Sequence, residues 1–168
     1  MMETAVNVSQ TQVPAHVVQD ILRMGREMLN YPVNLLLGVA KSLPQLAKTY
    51  KLVLITKGVL LHQEQKLAQS SLEGLFQDVH IVSEKQTTTY KKQTTTYSRI
   101  FGADVRVAAM VGNSIKSDIL PALDAGAAAI HVPARYEWDM EKAIEPTSNP
   151  RFFKAQGFKG LQGILAKM

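Results

Sequence analysis

The sequence predicts an α/β fold built on a parallel sheet, and two observations carry that expectation. Short runs rich in Val, Ile and Leu at 52–56, 79–82, 107–111 and 129–132 are continuously apolar rather than alternating, as in strands that helices cover on both faces. Between them lie stretches of helical character at 63–75, at 97–101 with the residues before it, and at 114–125. Strand and helix therefore alternate, which is the pattern of βα units.

Taken in order, the first element is a helix over 14–29, where Val17, Ile21, Met24 and Met28 recur at helical spacing and Pro14 suits a first turn. A second helix over 39–49 is limited or bent by Pro44. Together they are expected to form a helical hairpin ahead of the sheet. After the fourth apolar run, the segment 133–150 ends in Pro146-Thr147-Ser148-Asn149-Pro150 and reads as a long surface connection. A short helix over 161–167 closes the chain. One local oddity is a tandem repeat, Lys85-Gln86-Thr87-Thr88-Thr89-Tyr90 recurring as Lys92-Gln93-Thr94-Thr95-Thr96-Tyr97. Its period is too short for a solenoid and its threonines disfavour a continuous helix, so a protruding loop or a helix lengthened by about two turns is expected.

A chain of 168 residues with 46% hydrophobic and 20% charged residues has the makings of one soluble domain with a sizeable core. Its longest apolar stretch, around 33–40, is far short of the roughly 20 residues that span a bilayer. The start Met1-Met2-Glu3-Thr4-Ala5-Val6 lacks the basic and apolar regions of a secretory signal, and there is no cysteine. A cytoplasmic location, no membrane partner and no thiolate chemistry are the expectations. The net charge of +5 comes from 19 basic and 14 acidic residues, scattered apart from Lys91-Lys92. That distribution argues against a nucleic-acid partner.

In a parallel sheet, ligands bind beyond the carboxyl ends of the strands. The first apolar run ends in Thr56-Lys57-Gly58; its hydroxyl and backbone amides can hold a phosphate oxygen, or Thr56 can cap the next helix with Lys57 solvated. The second ends in Ser83-Glu84-Lys85, and Lys85 can neutralise an anion or simply lie at the surface. The third runs into Gly112-Asn113-Ser114-Ile115-Lys116-Ser117-Asp118. There Gly112 permits close approach, Ser114 is placed to cap a helix, and Asp118 lies one turn on, as a ligand or as a carboxylate favoured by the helix dipole.

These strand ends, in order, resemble the second, third and fourth motifs of the haloacid dehalogenase (HAD) superfamily. The text from Val111 to Leu123, followed by Ala125-Gly126, is similar to HAD hydrolases with a small helical cap, and 36–38 and 50–58 resemble the cap exit and second core strand. The resemblance implies a Rossmann-like parallel sheet over 39–168, with a partial helical cap over 1–38. It also implies a Mg²⁺-dependent phosphatase reaction on a small phosphorylated substrate through an aspartyl-phosphate. By position, Thr56, Lys57 and Gly58 would bind phosphate, Lys85 would be the catalytic cation with Lys92 its rival, and Asp118 and Asn113 would hold Mg²⁺. Asn113 stands where many relatives carry an aspartate.

The family also places an Asp-x-Asp nucleophile motif on a first strand, and no Asp-x-Asp occurs among Asp20, Asp78, Asp104, Asp118, Asp124 and Asp139. The residues from Met2 onward resemble the inside of a cap, so that strand is expected to be missing, leaving the strands that end at Thr56 and Gly112 unpaired where they would flank it. A truncated or inactive member follows from this. The alternative is a non-catalytic binding protein on the same scaffold, whose open strand edges offer a route to self-association.

Overall fold

The computed structural model describes residues 4, 7, 13–82, 100, 102–136 and 139–168. Its elements are α1 (Ala15–Leu29), α2 (Val39–Leu46), β1 (Val53–Lys57), α3 (Leu60–Ser70), β2 (Asp78–Val82), β3 (Ala109–Gly112), a π-helical turn (Ile115–Ile119), α4 (Leu120–Asp124), β4 (Ala128–His131), β5 (Phe152–Lys154) and α5 (Leu161–Leu165). Every strand pairing among them is parallel, as the apolar runs predict. The strands form two sheets, β1–β2 and β3–β4–β5. Val53 faces Asp78 and Lys57 faces Val82 in the first; Ala109 faces Ala128 and Ala129 faces Phe152 in the second. Among the described residues no backbone hydrogen bond joins β1 to β3.

The core centres on β4, all of whose residues are buried. Its side chains alternate between two packed layers, the period of a pleated strand. Ile130 and Val132 meet Leu46, Ala155 and Leu161 on one face, and Ala127 and Ala129 meet Ile115, Ile119 and Ala122 on the other. Val111 and Met110 of β3, like Phe153 and Phe152 of β5, split between the same two layers. Tyr50 and Leu52, leading into β1, pack on the Ile130 layer. The segment leading into β1 is thus anchored on this core, although no strand of the first sheet pairs with one of the second among the described residues. Burial of a large aliphatic side chain contributes roughly 1.5–3 kcal/mol, so fully buried Ile119, Ile130 and Leu161 dominate this region.

Several boundaries differ from the sequence-based expectation. The third strand begins at Ala109 rather than at 107, because Val107 lies in a 3-10 turn and is 85% exposed. Helix α3 starts earlier, at Leu60, and stops at Ser70, where Ser71 takes a left-handed φ of 57°. The helix over 114–125 is a π-helical turn running into α4, with the Ile119 and Leu120 amides donating to carbonyls five residues back. Strand β5 was not anticipated; it is three residues long, and only its pairing with β4 makes it a strand. Helix α1 lies where expected and α2 starts where expected but ends at Leu46 rather than at 49; α1 buries none of its side chains, whereas Leu43 and Leu46 of α2 pack against Leu161 of α5. No described helix is long and apolar enough to cross a membrane. The tandem repeat lies outside the described residues.

Candidate functional site

The ends of β1 and β3 carry the polar residues singled out in the sequence. At the end of β1, the half-buried Thr56 hydroxyl donates to Oε1 of Gln63 at 3.1 Å. Gln63 stands on the first turns of α3, and its amide also lies over Gly58: a Cβ there would come within 2.5 Å of Gln63 Nε2. Gly58 has φ +150°, a backbone state that side-chain-bearing residues rarely adopt. Its amide donates to the Val82 carbonyl at 3.1 Å, so this amide is engaged in the sheet rather than turned to a ligand. That corrects the expectation of a free amide at Gly58 and leaves the Thr56 hydroxyl and the exposed Lys57 ammonium as the donors at this strand end. Lys85 and its rival Lys92 lie outside the described residues.

At the end of β3 the chain folds back on itself. Ser114 Oγ accepts from the Ser117 amide at 2.9 Å, the N-cap the sequence predicts, which satisfies a donor left open at a helix start. The Asp118 carboxylate turns inward and accepts from the Ser114 amide at 3.1 Å. It packs so closely over Gly112 that a Cβ there would lie 2.4 Å from Asp118 Cβ and 2.6 Å from Oδ2. Gly112 is therefore required by the carboxylate above it, not by its own dihedral. Asn113 is exposed beside this turn. Asn113 and Asp118 thus offer a side-chain amide oxygen and a carboxylate at one strand end. Those are hard oxygen donors of the kind magnesium takes, since it binds through one or two carboxylates and keeps several waters. The residues present fit such an ion, although no cluster of three or more His, Asp or Glu that could hold a metal occurs among the described residues.

Sequence reasoning missed two further groups at this edge. Glu141 follows β4 by ten positions in the chain, in a 3-10 turn (Asp139–Glu141), and its Oε2 accepts from Ser114 Oγ at 2.6 Å and from Ser117 Oγ. The segment read as a plain surface connection therefore returns to the Gly112–Asp118 turn. His131, 5% exposed at the end of β4, has Nε2 3.1 Å from the Asn113 carbonyl. A carbonyl only accepts, so Nε2 is the donor in this contact. Its Nδ1 lies 3.6 Å from Glu145 Oε1 and makes no hydrogen bond. The Lys154 ammonium, 2.5 Å from Glu145 Oε1, holds the Glu145 carboxyl below the usual carboxylate range. A glutamine two turns beyond Thr56 gave a weak local signal. Nothing near Ser114 in the sequence pointed to Glu141.

No protein-family model matches the chain, and no curated protein does. Solved structures do. A magnesium-bound HAD hydrolase from Bacillus subtilis aligns over 95% of this chain and 76% of its own, with 17% identity and a TM-score of 0.61. A predicted phosphoglycolate phosphatase from Haemophilus somnus aligns over 96% and 72%, with 20% identity and a TM-score of 0.65. At such identities these two show the fold alone. A haloacid dehalogenase-like family hydrolase from Xanthomonas campestris is nearer: 32% identical, with a TM-score of 0.82, over 99% of this chain and 68% of that one. That identity, over nearly all of this chain and 68% of the other, places the chain in the haloacid dehalogenase-like hydrolase family.

Proposed function

We propose that this chain carries the phosphate- and metal-binding side of a Mg²⁺-dependent phosphohydrolase site that acts on a small phosphorylated substrate. The observation that supports it most is the inward-turned Asp118 carboxylate, held against Gly112 by the Ser114 amide at 3.1 Å at the carboxyl end of a parallel strand, where ligands of such sheets bind. Asn113 and Asp118 would hold the ion, which when bound offsets phosphate charge and polarises the phosphoryl oxygens. The Thr56 hydroxyl, now 3.1 Å from Gln63 Oε1, would turn to donate to a phosphoryl oxygen. Lys57 and Lys85 would add positive charge, which is worth more at a site shielded from water. A magnesium-bound relative of the same fold is in keeping with this assignment.

The covalent step of the family needs an aspartate nucleophile, and the sequence contains no Asp-x-Asp. The chain alone is therefore expected to bind phosphate and cation without turnover. The test pairs Mn²⁺ binding with Mg²⁺-dependent hydrolysis of an aryl phosphate by the purified chain. Mn²⁺ bound by the chain and lost in Asp118→Ala, with no hydrolysis, is the expected result. Turnover that Asp118→Ala abolishes would overturn the inactivity, and Mn²⁺ binding untouched by Asp118→Ala would overturn the metal site.

A second reading, a binding protein on this scaffold, is favoured by one observation: β1 and β3 share no backbone hydrogen bond among the described residues. Open strand edges template pairing with another chain. Sedimentation across a wide concentration range decides it, since a strictly monomeric chain would remove the self-association route.

A further inference from the structure

We infer that Glu141 is a positioning residue for the Asp118 site, holding Ser114 and Ser117 so that the Ser114 amide presents the Asp118 carboxylate. This rests on the reading that Asp118 helps to hold a divalent cation. Three observations carry it. First, Glu141 lies 27 positions from Ser114 and 24 from Ser117, yet its Oε2 accepts from both hydroxyls. Second, both serines are buried, at 5% and 6% exposure, so each hydroxyl depends on a protein acceptor. Third, Ser114 is where two carboxylates converge: Glu141 takes its hydroxyl at 2.6 Å and Asp118 takes its amide at 3.1 Å.

The connectivity makes the arrangement rigid. Ser114 Oγ donates to Glu141 and accepts from the Ser117 amide at 2.9 Å, so the carboxylate fixes the rotamer that caps the turn. Lys116 Nζ donates to the Met140 carbonyl at 2.9 Å, so the Glu141 segment and the π-helical turn are tied at a second point. Hydrogen bonds to an ionised acceptor are about twice as strong as neutral ones, and a half-buried anion beside Ser114 also favours a cation nearby. The neutral Asn113 adds a donor atom at this turn but no charge. Glu141 adds the charge and fixes the turn without having to touch the ion.

The experiment compares the full chain with its Glu141→Ala, Glu141→Gln, Ser114→Ala/Ser117→Ala and Asp118→Ala variants by two readouts. Amide hydrogen exchange without metal reports the lock itself; exchange at Ser114 and Ser117 should quicken in Glu141→Ala while β4 amides stay protected. Mn²⁺ titration reports the consequence; supporting residues around metal ligands typically contribute about 10–100-fold in affinity, so a loss of that size is expected in Glu141→Ala. Glu141→Gln, which keeps an acceptor oxygen, should fall between. Adding Glu141→Ala to the double serine variant should cost little more, because the effect runs through those hydroxyls. Unchanged exchange at Ser114 and Ser117 overturns the inference, as does Mn²⁺ affinity within twofold of the parent when Asp118→Ala abolishes binding. If Asp118→Ala binds Mn²⁺ like the parent, the cation reading fails instead, and the exchange data alone decide whether Glu141 holds the turn.

Discussion

Replacing Gly112 by alanine should be among the most damaging single-methyl additions to this protein. A Cβ at Gly112 lies 2.4 Å from Asp118 Cβ, 2.7 Å from Cγ and 2.6 Å from Oδ2, whereas ordinary contact begins at 3.4 Å. The nearest atom is Asp118 Cβ, which is fixed to the backbone, so rotating the carboxylate away does not relieve the overlap. The π-helical turn must instead move off the end of β3. Such overpacking costs about 1–3 kcal/mol. The movement also breaks the bond from the Ser114 amide to Asp118, and an unsatisfied buried donor costs about 1–3 kcal/mol more. A total of about 2–6 kcal/mol lowers the melting temperature of a domain this size by about 4–24 °C. The assay is thermal unfolding followed by circular dichroism, with Gly163→Ala as control. Gly163 sits in α5 with nothing within 4 Å of a Cβ, so there the same substitution should stabilise by about 0.5–1 kcal/mol. A Gly112→Ala protein that melts with the parent would refute the close packing of Asp118 on this strand.

Other consequences are smaller or more specific. Ile130→Ala empties a fully buried position shared by the α2 and α5 layer and should cost about 2–5 kcal/mol in urea unfolding. Thr56→Val removes the hydroxyl that donates to Gln63; inorganic phosphate should then bind about tenfold more weakly, or about 1.4 kcal/mol, as read by calorimetry, and unchanged binding would remove Thr56 from the phosphate site. The Glu145 carboxyl is held low by Lys154, so in the folded state it stays ionised to lower pH than in the unfolded chain. The stability this pair adds is therefore present above the unfolded carboxyl's pKa of about 4.3 and is lost as pH falls through the lower folded value. The difference in stability between the parent and Lys154→Ala should vanish in acid, and a difference that persists there would show that Lys154 acts by packing instead.

Much of the fold could be read from the chain because its signals are local. Unbroken apolar runs identified four parallel strands, of which Ala128–His131 is buried throughout, Ser114 announced itself as a cap by lying between a strand and a helical pattern, and Asp118 one turn later fell on the same side. Each of these depends on spacing within a few residues, which the periods of helix and strand fix directly. What the sequence withheld depends on partners distant in the chain. Phe152–Lys154 has no recognisable pattern of its own and becomes a strand only because Ala129 to His131 offers it an edge. The Gly58 amide looks available until Val82 takes it. Gly112 signals permissiveness in the sequence, but only the packed turn shows that Asp118 occupies the space a side chain would need. The Glu141 carboxylate reaches Ser114 across 27 residues, and no local periodicity encodes a contact that exists only once β4 has carried the chain back to the end of β3.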